Sequence, residues 1–343
     1  MSTPTNLRRH ILDAPPVGPS HHTDTTRKRR RSGFALAARA LAASLLLASC
    51  GTAATLEGDA ESSDPGALGS SGVAQSGQTG PLVVGSQDYY SNEIIAEVYA
   101  QALQAAGHEV RKDLRIGQRE VYMPELAAGR IDVLPEYSGN LLQYVNPGAT
   151  ARTSQDVHAA LVAAVPQGLR VLDQAAASDQ DTYVVTTSFA NEHGLRTIAD
   201  LAKVDAVVLG GNSELETRPY GPKGLRQTYG VNVSFTPIED SGGALTVKAL
   251  RDGQVQLVDI YSADPVLSSP DLVALEDPQG LLLASHVVPV VSQRVGPEAA
   301  AVINRVSAAL DPQDLRAMNR RSVDEGAPAS QIAKDWLASE GLG

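Results

Sequence analysis

Cysteine is all but missing from this chain of 343 residues: Cys50 stands alone. That excludes an internal disulfide and any CxxC redox or zinc site. The glycine loops of nucleotide-binding proteins (GxxxxGK[ST], GxGxxG) are absent, as are HExxH and GxSxG. Beyond residue 50 only His108, His158, His193 and His286 remain, and no two are spaced as metal ligands. No catalytic residues, metal site or cofactor are therefore expected. Basic residues are scarce as well. After residue 49 the chain carries 20 Lys and Arg against 37 Asp and Glu, a net of −17, which argues against nucleic acid as a partner. Phe and Trp are rare, three and one, while Tyr is present ten times. Such a skew points to interfaces or ligand walls, because core aromatics are ordinarily mixed.

The one long apolar stretch, residues 33–47, is short for a mature membrane span. It follows the basic block RKRRR at 27–31 and precedes Leu47-Ala48-Ser49-Cys50. A charged region, an apolar region and small residues before a cleavage point make a secretory signal. A Cys in the next position resembles a bacterial lipobox. Residues 1–49 are thus expected to be a signal peptide with a long n-region, and Cys50 the lipid attachment point. Residues 50–80, rich in Gly, Ser, Ala and Thr, are expected to be a flexible tether. About 260 residues remain, enough for two lobes with their own cores.

From Leu82 the pattern alternates: apolar runs of strand length, then segments with helical spacing stopped by Gly107 and Gly129. Strand, helix, strand, helix, strand is the mark of a mostly parallel sheet in an α/β fold. A second set of such units runs from 182 to 275, and the chain ends in helices at 297–309, 312–321 and 328–339. The segment 120–128 is predicted as a helix interrupted by Pro124, and Glu192-His193 as a polar turn.

Two stretches echo each other. LAAGRIDVLPEYS and LRDGQVQLVDIYS both read as helix end, glycine, strand, Tyr-Ser. Each places a tyrosine, Tyr137 or Tyr261, at the carboxyl end of a strand, where open α/β sheets bind ligands. Tyr183 falls at a strand edge where the chain passes between the two sets of units. Each of the three is either a packing residue or a ligand wall on this reading. Tyr99 and Tyr229 read as helix packing, and Tyr89, Tyr90, Tyr144 and Tyr220 are undecided. Arg218, in the loop TRPYGPKG, is placed either to clamp a carboxylate or to pair with Glu214 or Glu216.

In order along the chain stand GSQDYYSNEIIAEVYAQALQAAGHEV, AAGRIDVLPEYSGN, ELETRPYGPKGLRQTYG, VQLVDIYSADP and NRRSVDEGAPASQIAKDWL. Together they resemble the solute-binding proteins of ABC importers for glycine betaine, choline, carnitine and related osmoprotectants. The resemblance covers Leu82 to the C-terminus. It implies the two-lobed type II periplasmic-binding-protein fold, with 81–181 plus 285–343 as lobe I and 182–284 as lobe II. It implies a quaternary ammonium held between the lobes by tyrosines through cation–π attraction, here Tyr137, Tyr183 and Tyr261. Arg218 takes the ligand carboxylate, and Asn140 helps set ligand preference. The implied partners are a betaine- or choline-type ligand, an ABC permease with its ATPase, and the membrane through a lipid anchor on its outer face.

The chain departs from the family pattern twice. Gln87 stands where the first motif usually has Lys, so a charge contact is replaced by a hydrogen-bonding one. Ser285-His286 stands where a fourth cage tyrosine is expected, so His286 is placed to stack on the ligand when neutral and to repel it when charged. A receptor for another zwitterion, ergothioneine-like or an amino acid, is therefore the alternative within the class. An exported enzyme or a sensory lipoprotein on the same fold is the alternative outside it.

Overall fold

The computed structural model describes residues 80–343; the expected signal peptide, Cys50 and all but the last residue of the expected tether lie outside them. The elements follow the predicted alternation. They are β1 (Leu82–Gly85), α1 (Tyr90–Ala105), β2 (Val110–Asp113), α2 (Arg119–Ala127), β3 (Val133–Tyr137), α3 (Ser138–Val145), α4 (Ser154–Ala164), β4 (Leu169–Val171), β5 (Asp181–Thr186), α5 (Thr187–His193), β6 (Val207–Gly211), α6 (Pro222–Tyr229), β7 (Val233–Pro237), α7 (Ala244–Arg251), β8 (Leu257–Tyr261), β9 (Leu272–Ala274), β10 (Val287–Ser292), α8 (Pro297–Ala309), α9 (Pro312–Glu325) and α10 (Ala329–Ser339). No helix among the described residues is long and apolar enough to cross a membrane.

The strands form two five-stranded sheets, ordered β2-β1-β3-β10-β4 and β7-β6-β8-β5-β9. In each, four strands run one way and one runs against them: β10 in the first sheet, β5 in the second. Those two are the strands that enter a sheet directly from the other half of the molecule. The mostly parallel two-sheet α/β architecture expected from the sequence is thus the one observed, and the echoed stretches, β3 and β8, occupy the same central place in the two sheets. Both strands leave their preceding helices through a glycine with left-handed backbone, Gly129 at φ +68° and Gly253 at φ +73°, a conformation glycine adopts without steric cost.

Buried apolar side chains cover both faces of each sheet. Helices α1, α8, α9 and α10 pack around Ile94, Tyr99, Ile303 and Trp336 on one side of the first sheet. Tyr122, Leu134, Leu142 and Leu161 fill its other side. The second sheet is covered by a core around Tyr183, Leu209 and Leu225 and another around Val247, Val258 and Ile260. The two passages between sheets run side by side. Ser178 bridges His286 in antiparallel fashion, and the Val287 N–H donates to the Ala177 carbonyl at 3.0 Å.

Two local expectations are corrected. Helix α2 runs on through Pro124, which at the sixth position deprives only the Glu120 carbonyl of its helical donor. Glu192 and His193 end a helix, α5, and do not form a turn. Thr186 caps that helix by accepting from the Phe189 N–H, Gly194 stops it in the left-handed region, and the His193 ring lies 4.6 Å from Phe189.

Candidate functional site

A narrow cleft lies between the two sheets, at the carboxyl ends of β3 and β8. The first half of the protein contributes Gln87, Tyr89, Arg119, Tyr137 and Asn140 to its walls. The second contributes Glu214, Arg218, Tyr220, Asp259 and Tyr261, and Asp179 and Asp181 line it where one passage enters β5.

Three tyrosines meet there. The Tyr89 ring stacks against Tyr137 with centroids 6.4 Å apart and planes at 27°, and lies 5.1 Å from Tyr261 at 41°. They come from three elements: Tyr89 is the residue before α1, Tyr137 ends β3 and Tyr261 ends β8. Burial pushes all three phenols above their ordinary range, so they stay neutral rings at any ordinary pH. The echoed tyrosines are therefore brought together, and Tyr89, undecided from sequence, is the ring that joins them.

Tyr183 is placed elsewhere. It lies in the core of the second half, outside the cleft lining, and its hydroxyl donates to the Tyr220 carbonyl at 2.5 Å. The reason is strand register. Tyr183 faces Asp259 across the β5–β8 pair and sits two residues inside β5, below the sheet edge. Its expected place in the wall is taken by Tyr220, whose hydroxyl accepts from Asn140 Nδ2 at 3.1 Å.

His286 is also outside the lining. Its backbone bridges Ser178, and its Nδ1 lies 3.0 Å from the Ala176 carbonyl. Ser285 beside it has a structural task. Helix α3 begins directly after Tyr137 and has no side-chain cap of its own, so Ser285 Oγ accepts from the Gly139 and Asn140 N–H groups, both at 3.2 Å. Unsatisfied N–H groups at a helix start need such an acceptor. The same Ser285 hydroxyl donates to Asn140 Oδ1 at 2.5 Å. Asn140 thus lines the cleft as expected, but its amide is spent on Ser285, Asp181 and Tyr220, tying the two halves together.

Arg218 lines the cleft and is engaged. Its guanidinium donates to both Glu120 oxygens, at 2.7 and 3.2 Å, and its Cζ lies 5.5 Å from the centre of the Tyr144 ring. Glu120 belongs to the other half of the molecule, so the pair spans the cleft. Neither Glu214 nor Glu216 is its partner. A second guanidinium, missed from sequence, is Arg119 at the start of α2. It donates to both Glu136 oxygens at 2.8 Å, and Glu136 also accepts from the Tyr122 hydroxyl at 2.5 Å and the Tyr137 N–H at 2.9 Å. A buried ion pair holds when its remaining valences are satisfied in this way. Glu136 is therefore a strut beneath the site. Gln87 does line the cleft, and its buried Nε2 has no hydrogen-bond partner.

The carboxylates contrast with the arginines. Asp179 accepts from the Ser91 hydroxyl and the Ala263 N–H, both at 2.9 Å, and burial pushes its carboxyl up to about 7. Burial, then the neighbouring Asp181, raises Asp259 well above the ordinary carboxylate range, and burial raises Glu214. Chemically, the cleft offers π faces, negative charge and a few donors.

A family model described as the substrate binding domain of the ABC-type glycine betaine transport system matches residues 80–339. The chain belongs to this family. Its members are substrate-binding components of ABC transporters and not enzymes. This binding protein is 24% identical over 277 residues to the glycine betaine-binding protein YehZ of Escherichia coli (strain K12), across 76% of this chain and 91% of the relative. Two solved structures share its fold. One, a glycine betaine/carnitine/choline ABC transporter protein, superposes with a TM-score of 0.61 at 18% identity, covering 76% of this chain and 99% of the other. The other, lactococcal OpuAC closed around glycine betaine, gives 0.56 at 16% identity, covering 76% and 96%.

Proposed function

We propose that this binding protein is the extracytoplasmic receptor of an ABC importer, and that it captures a quaternary-ammonium solute between its lobes. Residues 81–181 with 285–343 form one moving body and 182–284 the other. Cys50 carries the lipid that holds the receptor on the outer face of the membrane, and an ABC permease driven by its ATPase takes the ligand. The observation that carries the reading is the convergence of Tyr89, Tyr137 and Tyr261, neutral rings from three elements, at the mouth of two facing sheets. A desolvated cation–π contact contributes roughly 2 kcal/mol, so three rings supply about 6, most of what micromolar binding requires.

Calorimetry of the full chain against glycine betaine, choline, carnitine and proline betaine tests it. Saturable binding of at least one is expected; none across the panel overturns the reading. Tyr89→Leu is expected to weaken that ligand about tenfold or more, one ring at ~1.4 kcal/mol or above. Tyr183→Phe, which removes only the hydroxyl bonded to the Tyr220 carbonyl, is expected to stay within about threefold of wild type.

A further inference from the structure

Tyr261 ends a strand of the second sheet, yet it packs against the core of the first, and Ala263 is part of that core. The turn after β8 explains this. Ala263 is 1% exposed, and both of its backbone polar groups are taken by buried side chains of the first half. Its N–H donates to Asp179 Oδ1 at 2.9 Å, and its carbonyl accepts from Asn319 Nδ2 at 3.1 Å. Asp179 is held in turn by the Ser91 hydroxyl on α1 at 2.9 Å. Ser262, between Tyr261 and Ala263, is tied to the passage that enters β5. Its N–H donates to the Gln180 carbonyl at 2.9 Å, and its hydroxyl accepts from the Gln180 N–H at 3.0 Å. Directly past Tyr261, then, the chain is fastened to Asp179, Gln180 and Asn319, all in the first half.

Asn319 is the informative member. It lies on α9, is fully buried and does not line the cleft. Its Oδ1 has no hydrogen-bond partner among the described residues. A buried acceptor without a partner costs free energy that an apolar side chain of the same shape does not. For packing alone a leucine would serve better there, so the amide is accounted for by its one bond, to Ala263. Tyr220 is attached differently. It sits on the loop before α6, and its bond to the first half, from Asn140 Nδ2 at 3.1 Å, runs across the cleft. Opening the cleft breaks that bond. It leaves the turn at 262–263 in place, because that turn and its partners lie on one side of the opening.

We propose that Asn319 and Asp179 are positioning residues: by clamping the backbone of Ala263 they keep the Tyr261 ring with Tyr89 and Tyr137, so that the three-ring face stands assembled before the lobes close. The span 182–284 thus closes as a body without its turn at 262–263. The ligand meets a finished aromatic face on one body, and closure adds Tyr220 and its loop from the other. A face assembled in advance spares the ligand the cost of ordering a ring and keeps the binding-competent fraction of the open form high. This inference rests on the reading of the cleft as a quaternary-ammonium site and adds to it the order in which the site is built.

A double-mutant cycle by calorimetry on the full chain tests it, with glycine betaine and tetramethylammonium as probes. Asn319→Leu is expected to weaken both probes about tenfold, by the same factor, because the effect travels through rings that any methylated ammonium touches. In a Tyr261→Leu background the same substitution is expected to change affinity by less than about twofold, since the ring it positions is gone. An equal loss in both backgrounds overturns the inference, because Asn319 then acts on the fold at large. Should Asn319→Leu fail to fold, ligand-free wild-type protein decides by nuclear magnetic resonance. Nuclear Overhauser contacts between the Tyr89 and Tyr261 rings are expected to persist while those between Asn140 and Tyr220 weaken. Both weakening together overturns the inference and leaves the receptor reading intact. Absence of binding by both probes and by the wider panel overturns the receptor reading itself, and the ring contacts of the ligand-free protein still decide the order of assembly.

Discussion

Asp179 is bonded to both halves of the protein, to Ser91 on α1 and to the Ala263 N–H just past β8. Its carboxyl is raised by burial to about 7, against 3.8 when exposed. Between about pH 4 and pH 7 the folded protein therefore holds a proton that the unfolded chain has lost. Stability must fall as pH rises through that window, and the deficit is complete above pH 7. A carboxyl held so far above its ordinary value costs the folded state on the order of a few kcal/mol once it ionises. Asp179→Asn keeps one acceptor and one donor in the same shape but cannot ionise. Without ligand it is expected to melt within about 2 °C of wild type at pH 4.5 and at least about 3 °C higher at pH 8. Equal melting points at pH 8, read by calorimetry or circular dichroism, would contradict the raised carboxyl. The residue scale is also where sequence and structure diverge most. Tyr183 reads as a wall residue because it falls where the chain passes between lobes, and His286 because the family resemblance puts a cage tyrosine there, yet strand register sinks one into the core and the paired passages turn the other away. Arg119 and Asp259 are invisible in the sequence because nothing local marks them. Their positions depend on pairings with residues many positions away, Glu136 across a helix–strand packing and Tyr183 across a ladder.

At the scale of elements the sequence is far more transparent. The echo of Gly129–Tyr137 and Gly253–Tyr261 correctly marks two equivalent strands, because a left-handed glycine, an apolar run and a polar stop are each local requirements. Helices α3 and α5 are hidden from such a reading: one is capped from a distant residue, Ser285, and the other is a short polar segment. The loop before α6 shows how an element sets the site. It carries Arg218 and Tyr220, and it folds so tightly that a Cβ on Gly221 would lie 1.9 Å from the Leu215 carbonyl oxygen. No flexible side chain is involved, so backbone must move. Gly221→Ala is expected to lower stability by about 2 kcal/mol or more and to weaken ligand binding at least tenfold, since Tyr220 and Arg218 move with the loop. Gly230→Ala is the control. Its left-handed φ of +70° costs roughly 1 kcal/mol when a Cβ is added, but nothing lies within 4 Å of that Cβ, so affinity is expected to be unchanged. Comparable affinity loss in both variants would show that the loop has no special hold on the site.

For the molecule as a whole, the two sheets are joined by paired passages on one side and by polar ties across the cleft. Those ties are Arg218 to Glu120, Asn140 to Tyr220 and Asp181, and the Tyr90 hydroxyl to Asp264 at 2.9 Å. Closure of two lobes about such a hinge brings separated walls together, and ligand affinity then depends on how readily the closed form is reached. Of the ties, Arg218–Glu120 can be altered with the least damage, because the Glu120 side chain is 52% exposed while Arg218 is 8%. Solvent on one partner keeps such a pair within about 1 kcal/mol, which is roughly fivefold in affinity. Glu120→Gln is therefore expected to weaken ligand binding about three- to fivefold in low salt, through faster release. Glu120 does not line the cleft, so the loss reports on closure and not on contact. The tie is electrostatic and half exposed, so it is screened by salt, and the two proteins are expected to converge in 1 M NaCl. Stopped-flow release rates at both salt concentrations measure this directly. Identical release in low salt would mean that the closed form does not lean on this pair, and a difference that persists undiminished in 1 M NaCl would mean that Glu120 acts through packing and not through its charge.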